Sequence, residues 1–327
     1  MSDAAPPRTA GPGPRTAGEM LTLARDFLAR KGLPEARLEA ELLVAHALGR
    51  DRLGLFLALD EPVERAEVDR ARELLVRRAA REPVAYLTGR REFYGRPFQV
   101  GPGVLVPRPE TELLVDRARA WCDRGPAAEL SGWPAVGDFG TGSGCLAVTL
   151  ALELPGARVV AVDVSPEALE YARSNADALG AAVELLQGDD VAPLRRAHPG
   201  GLDLLVSNPP YVDPRERDAL DPDVRDHEPA VALFAPPGDG EHWVRRLLDE
   251  GLALLRPGGL LLVELGAGQA PRVRALLAER GLRGELHRDL GGVERVLAVE
   301  RDPQEPAKPA SSSRSASSSS LKKTATS

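Results

Sequence analysis

From Glu110 to about Glu300 the chain alternates strand-length apolar runs with amphipathic helical stretches, joined by short connections. The spacing predicts a helix to about Cys122, strand Ala135–Phe139, helix Ser143–Leu154, strand Val159–Asp163 and helix Pro166–Leu179. Strands Val183–Leu186 and Leu202–Ser207 follow, then helix Gly240–Leu254, strand Gly259–Leu265, helix Gln269–Arg280, and closing strands near Glu285–Arg288 and Val296–Glu300. Alternation of this kind with short connections implies an α/β fold, a largely parallel sheet covered on both faces. Ligands of such sheets bind in the crevice at the carboxyl ends of the strands, so the residues just after each strand are where chemistry is expected.

Asn208-Pro209-Pro210-Tyr211 follows the apolar run Leu202–Ser207. Two prolines in succession cannot sit inside a helix or a central strand. They fix φ twice, and Pro210 also restricts Pro209. The expected result is a stiff loop with an amide at one edge, an aromatic ring at the other, and a proline carbonyl not lost to a neighbouring ladder. That set suits a planar group bearing an NH2.

A second signal is Asp138-Phe139-Gly140-Thr141-Gly142-Ser143-Gly144, after one strand and opening a helix. Glycines let the backbone turn tightly and approach a ligand closely. The next strand ends in Asp163, 19 residues beyond Gly144, and an acid at about that distance commonly binds ribose hydroxyls. A dinucleotide site calls for G-x-G-x-x-G; here the pattern is G-x-G-x-G behind an acid. The tighter spacing fits a nucleoside without a pyrophosphate, and Asp138 suits a cation. S-adenosylmethionine has a ribose, an adenine, a sulfonium and no phosphate. Asp189 and Asp190, after the third strand, are natural partners for the adenine amine, although one of them could simply cap or solvate its loop.

Outside this region, residues 16–83 read as a small helical domain. Met20, Leu23, Ala24, Phe27 and Leu28 recur with helical spacing, Thr16 and Glu19 have capping-box spacing, and His46 is expected to be partly buried and not a ligand. Residues 84–109 break the helical period with Gly and Pro and read as a β-hairpin linker, with short β pieces at Glu92–Tyr94, Phe98–Val100 and Val104–Val106. Residues 110–302 carry the α/β domain. Residues 1–15 and the Ser-rich segment 303–327 are too poor in apolar surface to offset chain entropy and are expected to be disordered.

Two cysteines, Cys122 and Cys145, fit a reducing cytosol better than a disulfide framework. The N-terminal segment lacks the apolar core of a secretory signal, and no run reaches the roughly 20 apolar residues of a membrane span. A soluble, cytoplasmic, monomeric protein without a membrane partner is expected. The net charge is −7, and removing the four positive charges of residues 307–327 takes it to −11. An acidic body argues against stable nucleic-acid binding. The five histidines lack ligand spacing, so no metal site is expected.

The glycine loop, Asp163 and Asn208–Tyr211 together resemble the class I (Rossmann-like) S-adenosylmethionine-dependent methyltransferases that modify planar nitrogen. More specifically, Arg81-Glu82-Pro83-Val84-Ala85-Tyr86-Leu87-Thr88-Gly89, Glu92-Phe93-Tyr94, Val106-Pro107-Arg108-Pro109-Glu110-Thr111-Glu112 and Glu228-Pro229 resemble the release-factor glutamine methyltransferases, the PrmC/HemK family, over roughly residues 17–301. The resemblance implies methylation of the side-chain amide nitrogen (N5) of the glutamine in the Gly-Gly-Gln loop of peptide chain release factors. It also implies that the helical domain helps to hold the release factor. Asn208 Oδ1 and the Pro209 carbonyl would accept the two N–H bonds of the substrate amide. Pro210 would stiffen the loop, and Tyr211 would pack on the amide plane. Asp138 and the Gly140–Gly144 backbone, with Thr141, Gly142 and Ser143, would hold the methionine end of the cofactor, and Asp163 its ribose.

Arg108, Glu110 and Glu112 either line the cofactor or substrate mouth or are helix-start acids with a neighbour. Glu228-Pro229 either orders the loop after Tyr211 or is structural, and Glu264 is a strand-end acid open to a structural reading. Two other functions share these motifs. An adenine-N6 nucleic-acid methyltransferase presents the same NH2 from a flipped base, but needs a cationic channel. A non-catalytic factor-binding module would have no need of an intact loop, acid and tetrapeptide. A nicotinamide dehydrogenase is disfavoured by the loop spacing.

Overall fold

A computed structural model describes residues 13–124 and 134–302. The disorder expected for 303–327 and for the first twelve residues lies outside the described residues. Residues 13–15 do not follow that expectation. Arg15 donates its N–H to Glu19 at 2.7 Å, and its carbonyl accepts from Val63.

Five helices come first: α1 (Ala17–Arg30), α2 (Ala36–Ala47), α3 (Arg52–Leu57), α4 (Arg65–Ala79) and α5 (Val84–Thr88). Thr16 caps α1 by accepting the Glu19 N–H, which satisfies one of the orphan donors of the first turn. The apolar faces of these helices close one core around Leu28, Leu43, Val44 and Leu55. His46 on α2 is largely exposed, and the burial that remains lowers its pKa. α5 falls where the sequence suggested a break in helical structure; Pro83 opens it and Gly89, at φ +70°, ends it.

The hairpin pairs β1 (Arg90–Phe93) with β2 (Arg96–Gln99). Its turn, Tyr94-Gly95, has both φ values positive, 52° and 70°, the pairing that matches the twist of two-residue hairpins. Val104–Val106 is not a strand. It is irregular backbone over α8 (Pro166–Leu179), with Val104, Val106, Tyr86 and Ala168 in one small cluster.

The α/β part runs α6 (Glu112–Arg124), β3 (Ala135–Phe139), α7 (Cys145–Glu153), β4 (Arg158–Asp163), α8, β5 (Val183–Gln187), α9 (Ala192–Ala197) and β6 (Leu202–Ser207). It continues with α10 (Pro222–His227), α11 (Ala230–Leu233), α12 (His242–Arg246), β7 (Leu255–Glu264), α13 (Ala270–Glu279), β8 (Glu285–Arg288) and β9 (Glu294–Glu300). The sheet order is β5-β4-β3-β6-β7-β9-β8. β5 to β7 pair in parallel, and β9 is antiparallel to both neighbours. β3 and β6 are buried along their whole length, as strands covered on both faces must be. One core lies on each face of the sheet.

The single helix expected over 240–254 is instead α12, a π turn and a 3₁₀ turn in succession. β7 starts four residues before the expected Gly259, its first residue Leu255 pairing with Leu202 across an irregularity in the ladder. After β3 the chain crosses to β4 on one side, while β6 lies on the other. The strand order therefore reverses between β3 and β6, the point at which a crevice opens.

Candidate active site at the carboxyl edge of the sheet

A cavity of about 270 Å³ opens at this reversal. Its floor is Phe139–Ser143 after β3, Asp163–Ser165 after β4, Gly188-Asp189 after β5 and Asn208–Pro210 after β6. The linker residues Gly103–Leu105 and Pro107-Arg108, together with Thr111, wall one side.

The glycine loop is tied to the next strand. Gly140 and Thr141 both donate backbone N–H to Val162 O, at 2.8 and 3.0 Å. Asp163 accepts the Gly142 N–H at 2.8 Å on one oxygen and the Ser165 N–H at 2.9 Å on the other. Burial raises its carboxyl pKa, against the lowering effect of these amides. Each oxygen keeps a second lone pair for a ligand hydroxyl. Asn175 fastens the loop from below, donating to the Ser143 carbonyl at 2.8 Å and accepting the Gln99 N–H of the hairpin at 2.7 Å.

Gly144 begins α7 at φ +79°, and a Cβ there would stand 3.0 Å from Cα and Cβ of Ala172 on α8. Gly144→Ala is expected to combine left-handed strain of about 1–2 kcal/mol with a forced separation of the two helices. Thermal unfolding should show a clearly lowered melting temperature; an unchanged one means that the helices separate freely.

Four residues expected at the ligand do not line the cavity. Gly144 is the helix-packing position just described. Asp138 is fully buried behind the loop, where one oxygen accepts the Thr141 hydroxyl at 2.7 Å and the other, among the described residues, has no hydrogen-bond partner. Burial lifts its carboxyl to about 7. Asp190 accepts the Ala192 N–H at 2.8 Å at the start of α9, which leaves Asp189 at the cavity wall. Tyr211 is turned onto the strand end: its ring would be 2.8 Å from a Cβ at Gly266. Burial, with Glu264 nearby, pushes its hydroxyl up to about 12.

Asn208 is held by a relay that the sequence did not show. Its Nδ2 donates to Thr111 Oγ1 at 3.1 Å, and that hydroxyl donates to Glu264 Oε2 at 2.7 Å. Thr111 and Glu264 are each 2% exposed. Burial raises the Glu264 carboxyl to about 7, with the Thr111 hydroxyl pulling in the opposite direction. Among the described residues, nothing donates to Asn208 Oδ1 or to the Pro209 carbonyl. Two acceptors therefore stand in one loop at the cavity.

The remaining polar cluster separates. Arg108 lines the cavity and pairs with Glu228 at 2.6 Å, and Glu228 also accepts the Val106 N–H at 3.1 Å. Glu228 therefore holds the linker over the site, and burial raises its pKa. Glu112 faces away and accepts the Tyr94 N–H at 2.8 Å. Glu110 is not among the lining residues. Trp243 on α12 was also missed by sequence reasoning. It lines the cavity, tilts against Phe139 with centroids 5.6 Å apart, and carries Arg246 over its ring at 5.2 Å.

A seven-stranded sheet in this order, with a glycine loop after its first strand and an amide loop after its fourth, defines a Rossmann-like class I methyltransferase. Residues 129–222 match the methyltransferase small domain, and residues 19–89 match the PrmC N-terminal domain. The release factor glutamine methyltransferase of Geobacter sulfurreducens is 42% identical over 283 residues, covering 86% of this chain and 95% of that protein. That of Bordetella pertussis is 45% identical over 280 residues, covering 84% and 98%. The chain belongs to the release factor glutamine methyltransferase family. Among solved structures, the hMettl16 catalytic domain in complex with MAT2A 3′UTR hairpin 6 aligns with a TM-score of 0.51 at 17% identity, over 70% of this chain and 83% of that one. That likeness is one of fold alone. No helix among the described residues is long and apolar enough to cross a membrane.

Proposed function

We propose that this protein transfers the methyl group of S-adenosylmethionine to the side-chain amide nitrogen of the glutamine in the Gly-Gly-Gln loop of peptide chain release factors. The observation that carries the reading is the pair of unengaged acceptors, Asn208 Oδ1 and the Pro209 carbonyl, at a cavity floored by a glycine loop and Asp163.

An amide nitrogen is a poor nucleophile because its lone pair is delocalised into the carbonyl. Two acceptors that take its two N–H bonds hold the nitrogen in one orientation toward the methyl donor, converting encounter into positioned attack. They also favour the positive charge that builds on nitrogen as the bond forms. With S-adenosylmethionine bound, the nitrogen would gain its methyl group and the C–S electron pair would go to sulfur, leaving a neutral thioether. The charged amide product then loses a proton to water. S-adenosylmethionine supplies the activated methyl when bound. The loop residues Gly140–Ser143 would hold its methionine end, Asp163 its ribose, and Asp189 with the Trp243 ring its adenine. Asp138 acts from behind the loop, holding Thr141 in place. Tyr211 supports the tetrapeptide from the strand side. The helical domain, residues 16–83, is assigned to holding the release factor.

A nucleic-acid substrate finds little support. Arg108 is the one cationic side chain among the described residues that line the cavity, and its charge is committed to Glu228. Affinity for a nucleic acid comes largely from Lys and Arg that neutralise its phosphates.

The test is label transfer from S-adenosylmethionine to three acceptors: a release factor, its Gln→Ala loop variant, and duplex DNA. Label in the unmodified factor alone is expected. Label in the Gln→Ala variant or in DNA, or none in any acceptor, overturns the reading.

A further inference from the structure

The Asn208 amide has two faces of opposite character, and only one is useful. With Oδ1 toward the substrate it accepts an N–H; turned by 180° it presents its own N–H2 against the substrate N–H2, donor against donor. Side-chain amides of this kind are oriented by their partners, since oxygen and nitrogen occupy nearly the same space. The partner here is not a neighbour in sequence. Thr111 stands 97 residues before Asn208, in the 3₁₀ turn ahead of α6, and Glu264 lies 153 residues beyond Thr111, at the end of β7.

We propose that Thr111 and Glu264 are positioning residues that fix the facing of the Asn208 amide, keeping its oxygen toward the substrate. When Glu264 is ionised, which its raised carboxyl reaches above about 7, it has no proton to give and can only accept. It therefore takes the Thr111 hydroxyl proton, and the Thr111 lone pair is left to accept Asn208 Nδ2–H. Each link removes a choice from the next, and Oδ1 is the atom left over. Replace Glu264 by an apolar residue and the hydroxyl proton of Thr111 is released toward Asn208. It then binds Oδ1 as readily as its oxygen binds Nδ2, and the reversed amide becomes competitive.

The groups that face Glu264 come from every side. They are Arg295 on β9, Glu110 and Arg108 at the linker end, Thr111 itself, Cys145 at the start of α7 and Tyr211 after β6. Burial opposes its ionised form most and outweighs the rest; the Thr111 hydroxyl and the two arginines favour that form, and Glu110 opposes it.

This inference rests on the glutamine reading above, and the experiment separates the two. Label transfer to the release factor is followed for the wild type, Thr111→Val, Thr111→Ser and Glu264→Leu. Cofactor affinity and thermal unfolding are measured alongside. Thr111→Val keeps the shape and loses the hydroxyl; kcat should fall by about tenfold or more, the scale at which small misplacements of a reacting group are felt. KM for the factor and cofactor affinity should stay within about threefold. Thr111→Ser restores the hydroxyl and should recover most of kcat. Glu264→Leu should lose kcat in the same way, with a melting temperature no lower than that of the wild type, since it removes a buried acid. The inference fails if Thr111→Val or Glu264→Leu keeps kcat within twofold, if Thr111→Ser is no better than Thr111→Val, or if the loss follows the melting temperature. An inactive wild type sinks the glutamine reading instead.

Discussion

Replacing Asn208 by alanine is expected to lower methyl transfer by roughly a hundred- to a thousandfold, the scale seen when one group aimed at developing charge is removed. The argument rests on what the side chain does in the resting protein. Its Nδ2 is engaged by Thr111 at 3.1 Å, and among the described residues its Oδ1 has no partner. A stability role would use both ends of the amide; here one end is anchored and the other is left for a ligand. The cofactor contacts assigned above come mostly from the loops after β3, β4 and β5, so alanine at 208 should change cofactor affinity by less than about tenfold. Asn208→Asp sharpens the test. The carboxylate keeps an acceptor but cannot donate to Thr111, and it places a second acid in the Glu264 relay. It should therefore remain well below the wild type. Single-turnover label transfer with separately measured cofactor binding checks both. Turnover of Asn208→Ala within tenfold of the wild type removes Asn208 from the chemistry.

The sequence showed this site in outline because strand ends are legible. β3 and β6 are continuous apolar runs, and their observed limits, Ala135–Phe139 and Leu202–Ser207, are those that the pattern predicts. The same holds for α8, where Ser165 caps, Pro166 opens and Gly180 closes at φ +69°. Once the strands are placed, Asp163 and Asn208 are located as well. The segment between Val212 and Leu254 was not legible. α10 and α11 span six and four residues, each after a proline or an aspartate-proline step, too short for periodicity to show. They persist through distant contacts: Glu228 with Val106 and Arg108, and Val212 with Phe234 and Leu233. The pairing of Thr111 and Glu264 with Asn208, and Trp243 itself, were missed for the same reason. Their partners lie 97 to 153 residues away, and no local pattern encodes such a partnership. Asp138, Asp190 and Tyr211 err in the opposite direction: each lies beside the site in sequence, and packing turns its side chain away from the cavity.

Arg78→Met is expected to be the most destabilising single substitution in the helical region, by about 3 kcal/mol or more, because it strands acids beside a buried position. Arg78 is 2% exposed. It pairs with Glu39 of α2 at 2.8 Å and with Asp223 of α10 at 2.6 Å, and donates to the Glu82 carbonyl at 3.1 Å. One guanidinium thus joins the helical core to the segment that follows the Asn208 loop. Methionine fills the space of the stem but satisfies none of these acceptors. Glu39, with 12% side-chain exposure, stays largely desolvated, whereas Asp223, at 27%, can turn toward water, which keeps the expected cost near the lower end of the range for broken buried pairs. The consequence extends to the site. α10 leads directly into Glu228, which holds Arg108 and the Val106 amide over the cavity. With its Arg78 anchor gone, α10 should exchange its amide hydrogens faster, and the helical region should unfold in a separate, earlier transition. Denaturant unfolding followed by hydrogen exchange on residues 222–228 reads both. A loss below about 1 kcal/mol with α10 exchange unchanged would mean that Arg78 behaves as a solvated surface pair, and that the remaining links, such as Arg81 with Asp223 and His227 with the Ala80 carbonyl, suffice to join the helical region to α10.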